Sequence, residues 1–350
     1  MKTKVCCSIL TAGLAMATSN VASAQSSVTL YGLLDNGVQY KTNANAAGNS
    51  VVTTGTAGAA YPSRFGFRGT EDLGGGLSAV FQLENGFLIN NGQLVSSDVL
   101  FNRQSWIGLS SKYGTLTFGR QYSVQYDKTV YYDPTLFNNY SIFSLNIIPP
   151  ATVRANNSIK FQSQKLNGFN FEAMYGFGQQ LPGSYQAGKY YGVGAEYNGG
   201  SVSASVAYEA VHGTVAGAAD NSGAVDRRLS AVAKYTIGPV QLSGGFVAVR
   251  GDLHSSPDGN VYWGGVVYLP NPYWKLSAEA GRYYFNGQPG APTVYNLAAM
   301  YSLSKRTSLY VTGGQMFNAG GSNFGIANYT TTSVAGQTQL AVAGGLIVRF

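Results

Sequence analysis

Cysteine is confined to positions 6 and 7, histidine occurs twice, charge is scarce, and no stretch after the first residues offers eighteen consecutive apolar positions. Each shortage excludes something. Cys6 and Cys7 lie in a segment that reads as a secretory leader, so the exported chain can form neither a disulfide nor a thiolate metal site. A membrane-spanning helix needs about 20 apolar residues, and none is available. His212 and His254 are too few for a histidine metal cluster, no G-x-S-x-G elbow occurs, and no Ser/His/acid neighbourhood stands out. Neither catalysis nor a cofactor is expected. The sequence pI is near 9.2, yet Lys and Arg are dispersed, which argues against nucleic-acid binding. Charged residues make up 11% of the chain, while Gly (46) and Tyr (25) are abundant.

Lys2 and Lys4 supply a positive n-region, Ile9 to Ala17 a short apolar stretch, and Ala22-Ser23-Ala24 a cleavage site. Residues 1–24 are therefore expected to be a signal peptide, with Gln25 opening a single domain over residues 25–350. Loss of Lys2 and Lys4 lowers the formal charge from +7 to +5.

Alternation of period two runs through the rest. Phe169, Phe171, Ala173, Tyr175 and Phe177 oppose Asn170, Glu172, Met174 and Gly176; Phe81 and Leu83 oppose Gln82 and Glu84. Such alternation marks strands with one apolar and one polar face. Sixteen segments of this kind begin near residues 27, 61, 76, 101, 114, 154, 168, 189, 201, 227, 238, 259, 273, 292, 306 and 337. Their connections alternate long and short, the pattern of an up-and-down barrel with short periplasmic turns and long external loops. A soluble sandwich has no reason to obey it. The fold expected is all-β, a 16-stranded antiparallel transmembrane barrel. Tyr31, Tyr40, Tyr61, Tyr197, Tyr208, Tyr235 and Tyr301 fall near segment ends, where interfacial girdles place amphipathic rings.

At "SSVTLYGLLD" (26–35), "SRFGFRGTEDLGGGLSAVFQLENGF" (63–87), "FNRQSWIGLSSKYGTLTFGRQY" (101–122), "RANNSIKF" (154–161) and "YSLSKRTSLYV" (301–311), the chain resembles the Gram-negative trimeric general porins, most of all those of betaproteobacteria. The resemblance implies a sixteen-stranded barrel whose third external loop folds inward. It implies a homotrimer set in outer-membrane lipid and lipopolysaccharide, passing small hydrophilic solutes and ions. It also implies that the terminal Phe350 is read by the outer-membrane assembly machinery.

In "SRFGFRG", Phe65 and Phe67 share one face, and Arg64, Gly66 and Arg68 the other. A guanidinium facing hydrocarbon costs about 2–4 kcal/mol near the midplane, so Arg64 and Arg68 are expected in the lumen. In "FNRQSWIGL" the same reasoning sends Arg103 inward and Trp106 outward. The resemblance carries the porin wall-arginine strip onto Arg64, Arg103 and Arg154. It sets Asp127 and Asp133, the acids of the long 122–153 connection, against them as loop-3 residues of the constriction. Few acids occur in that loop, which points to a mild anion preference. Two alternatives share the sequence: a solute-selective pore with an aromatic slide of Tyr131, Tyr132, Phe137 and Tyr140, and a surface adhesin using only the external loops.

Overall fold

The computed structural model describes residues 27–55, 59–143, 152–287, 289–326 and 334–350. The expected signal peptide lies outside the described residues. Sixteen long strands follow one another: β1 (Ser27–Lys41), β2 (Arg64–Gly74), β3 (Leu77–Gly86), β4 (Gln104–Ser111), β5 (Gly114–Tyr122), β6 (Arg154–Ser163), β7 (Phe169–Gly176) and β8 (Tyr190–Gly199). The second half comprises β9 (Val202–His212), β10 (Val225–Ile237), β11 (Val240–Gly251), β12 (Gly259–Asn271), β13 (Trp274–Phe285), β14 (Thr293–Ser302), β15 (Thr307–Phe317) and β16 (Gln339–Arg349). Every strand pairs antiparallel with the next, and β16 returns to pair with β1 from Leu33↔Arg349 to Lys41↔Ala341. The sheet closes on itself and leaves no long edge unpaired. A short strand, Val51–Thr54, lies back on the loop end of β1.

The alternation in the sequence becomes the two faces of the wall. On β7, Phe169, Phe171, Tyr175 and the adjoining Phe177 are exposed outward, whereas Glu172 and Met174 are buried inward. Val28 and Leu30 on β1, Ile107 and Leu109 on β4, Val193 on β8 and Leu297 on β14 continue this apolar outer surface. A soluble monomer rarely exposes so much contiguous apolar area; hydrocarbon accounts for it. Among the described residues no helix is long and apolar enough to cross a membrane.

Turns follow from composition. In "TEDLGGG", Gly74, Gly75 and Gly76 take φ of 83°, 63° and 78°, the left-handed region that a β-carbon disfavours. At the seam, the Gly32 N–H donates to the Phe350 carbonyl at 3.1 Å and the Phe350 N–H to the Gly32 carbonyl at 3.2 Å. The Phe350 ring occupies the space a side chain on residue 32 would fill.

Three orientations differ from the expectation. Trp106 faces the lumen, because Ile107 and Leu109 take the outward set of β4 and its indole N–H donates to Gln104 at 3.2 Å. Arg103 precedes the first residue of β4, so the strand's alternation does not govern it. Tyr31 and Tyr61 are not girdle residues: the first donates to Glu84 at 3.0 Å and the second to the Thr135 carbonyl at 2.7 Å, both on the lumen side.

Candidate functional site: a charged lumen crossed by loop 3

Between β5 and β6 the chain turns inward. Ser123 caps a short helix, α1 (Val124–Thr129), by accepting from the Tyr126 N–H at 3.3 Å, and α1 packs against the inner wall at β8 and β9. Tyr190 fixes its start, accepting from the Val124 N–H at 2.9 Å and donating to Glu209 at 3.1 Å.

The decisive contacts are ionic. Lys128 Nζ lies 3.2 Å from Glu172 Oε2 and donates to Asn170 at 2.6 Å. Lys160, from β6, lies 3.5 Å from Glu172 Oε1 and 2.6 Å from Asp127. The Lys128 and Glu172 side chains are 2% and 0% exposed. Removing one partner of such a buried pair typically costs about 3–5 kcal/mol, because the other charge is left uncompensated.

Beyond α1 the loop runs across the lumen. Asp133 holds its own turn together: one carboxylate oxygen accepts from the Thr135 N–H at 2.6 Å, the other from the Phe137 N–H at 3.1 Å and from the Ser141 hydroxyl. Asn139 N–H then donates to the Ala60 carbonyl at 2.8 Å, Asn138 to Thr312 at 3.0 Å, and Ile142 N–H to Glu279 at 2.9 Å. Gln39 donates to the Tyr140 hydroxyl. Burial pushes the Tyr140 phenol up to about 12, so it stays a neutral hydroxyl at physiological pH. Tyr122, Tyr126, Phe137, Phe143 and Trp263 form an unbroken file of rings from β5 to β12, with successive centroids 4.2, 5.1, 4.7 and 5.1 Å apart. The loop's Tyr, Phe and Ile thus build a hydrophobic core inside the barrel.

Three expected arginines converge at one wall. Arg103 Nε donates to Glu84 at 2.6 Å, and Arg64 Nε lies 3.9 Å from the same carboxylate. Arg103 Nη2 and Arg154 Nη2 reach the Tyr122 hydroxyl at 2.6 and 3.2 Å, and the Arg154 guanidinium lies 4.6 Å from the centre of the Tyr122 ring. Arg68 stands apart, 5.5 Å over the Tyr31 ring and exposed.

The expected acidic side is different. Asp133 is 2% exposed inside loop 3 and makes no ion pair with the arginines among the described residues; Asp127 pairs with Lys160. The carboxylate that meets the arginines is Glu84, from β3. The reason is local: an Asp-Pro turn needs its carboxylate to cap its own backbone N–H groups, whereas alternation puts Glu84 on the inner face. That inward position was visible beside Phe81 and Leu83, although its pairing across strands was not. Glu84, Tyr122, Lys128, Lys160 and Glu172 were all missed as site residues.

Charge is therefore unevenly committed. The arginine nest shares one carboxylate. Towards the short turns, Arg68, Lys234, Lys275 and Arg349 make no ion pair among the described residues. A closed membrane barrel with a charged, partly obstructed interior defines a channel protein.

The comparisons narrow the class. Residues 11–321 match the family model described as Gram-negative porin. Outer membrane porin protein 32 of Delftia acidovorans is 31% identical over 354 aligned positions, which cover 95% of this chain and 96% of the relative. A solved structure, an anion-selective porin from Comamonas acidovorans, matches with a TM-score of 0.81 at 29% identity, covering 93% of this chain and 100% of that one. The trimer form of OmpT from Vibrio cholerae shares the fold at 15% identity, with a TM-score of 0.64 over 93% of this chain and 99% of its own. The chain belongs to the Gram-negative porin family. It is an outer-membrane channel through which small hydrophilic solutes and ions diffuse passively.

The pairing at Glu84 gives a signed expectation. Glu84→Gln removes the counter-charge of the nest and should raise the anion-to-cation permeability ratio, whereas Arg103→Gln should lower it. Zero-current potentials across a KCl gradient in planar bilayers read both; a Glu84→Gln channel that shifts toward cations would contradict the arrangement.

Proposed function

We propose that the channel is a general diffusion pore with a mild preference for anions. The observation that carries this reading is the set of lumen cations that make no ion pair among the described residues, Arg68, Lys234, Lys275 and Arg349, against a nest of three arginines that among those residues shares Glu84 alone. A solute crossing the lumen meets net positive potential at both levels. The Comamonas neighbour's description as anion-selective points the same way.

In this reading Arg64, Arg103 and Arg154 form the positive strip of the constriction. Arg68 acts below them, and Asp127 and Asp133 serve to hold loop 3. Burial of Tyr132, Phe137 and Tyr140 inside loop 3 argues against an aromatic slide. We further read the chain as non-catalytic, as a homotrimer like the Vibrio neighbour in its trimer form, and as exported by a leader cleaved after Ala24. Lipopolysaccharide and other outer-membrane lipids would surround its apolar wall.

Phe350 is proposed as the residue the outer-membrane assembly machinery reads. Its outward ring and its two backbone bonds to Gly32 support a role at the closing seam.

Two outcomes test these readings. Wild-type channels should show ohmic conductance, a zero-current potential favouring chloride over potassium, and no saturable block by millimolar sugars; a potential favouring potassium would refute the preference. Deleting Phe350 should leave export intact and refolding into detergent nearly unchanged, while the yield in the outer membrane falls severalfold. Undiminished outer-membrane yield would refute the assembly role.

A further inference from the structure

Beneath loop 3, on the short-turn side, the inner wall of β10 to β13 and residues 131–136 enclose a recess of about 260 Å³. It is separate from the arginine nest, which is built from β2, β3, β5, β6 and the residue before β4. Two lysines reach it. Lys275, beside the β12–β13 turn, has no hydrogen-bond or ion-pair partner among the described residues. Among the described residues Lys234 donates only to the Tyr131 carbonyl, at 3.1 Å, and lies 5.6 Å over the Tyr132 ring.

The acid at the back of the recess is Asp133, whose oxygens already accept from Thr135, Phe137 and Ser141. The opposite side is apolar and open: Tyr131 is 67% exposed, Leu136 43% and Leu269 38%. Such exposure inside an aqueous lumen leaves apolar area that a passing solute can cover. Ser243 adds a hydroxyl.

We propose that this recess is a binding station for small organic monoanions that carry an apolar or aromatic body. The carboxylate meets the ammonium groups of Lys275 and Lys234, and the body lies against Tyr131, Leu136 and Leu269. The volume suits a single ring and is below the roughly 300–1,000 Å³ of drug-sized sites. The station rests on the reading that the pore admits anions. It adds that carriers of one negative charge are sorted by their apolar part as they leave or enter at the short-turn end.

The test is ion current through single channels in planar bilayers, with benzoate, acetate or benzyl alcohol added at equal concentrations. Benzoate should reduce the current saturably, at a half-blocking concentration well below that of the other two. Lys275→Gln and Lys234→Gln should each raise the benzoate value by about fivefold. Tyr131→Ala should raise it for benzoate and leave acetate unchanged. Each variant is first checked for open-channel current and for a heat-modifiable barrel band, so misfolding is recognised.

Equal block by benzoate and acetate, or a benzoate value untouched by both lysine substitutions, overturns the station. A wild-type potential favouring potassium overturns the broader anion reading instead. Lysine-dependent benzoate block in such a channel would still support the station.

Discussion

The ionic anchor between α1 and the wall is the constraint on which the interior depends. Lys128 comes from the loop and Lys160 from β6, and both grip Glu172, whose side chain has no contact with water. A carboxylate so placed is tolerable only while its partners stay. Alternation on β7 forces Glu172 inward, because the opposite face carries Phe171 and Ala173 toward lipid. The barrel pattern thus creates a buried acid, and the loop supplies a cation that answers it. Once α1 is held, the file of rings from Tyr122 to Trp263 can form, and the segment from Asp133 to Phe143 can reach β13, β15 and the loop end of β1.

That crossing divides the electrostatics of the pore. Near the loop end, Glu84 and Tyr122 gather Arg64, Arg103 and Arg154 into a compact nest. Packed guanidinium groups are held at fixed positions there, and one carboxylate moderates their field. On the other side of loop 3, Arg68, Lys234, Lys275 and Arg349 make no ion pair among the described residues and act on solutes more directly. Exposed charges in salt are screened within about 10 Å, so only groups lining the narrowed path influence a permeating ion strongly.

Much of the wall could be read from the sequence, because a membrane barrel imposes one rule on nearly every residue. The sixteen segments, the alternation of long and short connections, and the inward parity of Arg64 and Arg68 all follow from period two. The rule fails where the chain leaves the strand. Arg103 sits one residue before β4, so carrying its inward direction forward misplaced Trp106. Tyr61 lies in a loop tucked back into the lumen, where aromatic position alone misleads. Loop 3 obeys no period at all. Its aspartates looked like pore-lining charges by analogy, but one caps its own turn and the other binds Lys160. The pairing of Lys128 with Glu172 spans 44 positions in sequence and depends on the inward fold, so no local pattern announces it.

The unit conductance of a Lys128→Met channel tests the central claim most directly. If the anchor holds loop 3 across the lumen, the variant should give a larger, fluctuating unit conductance than wild type while its barrel still forms. A correctly folded variant with the steady conductance of wild type would contradict the account.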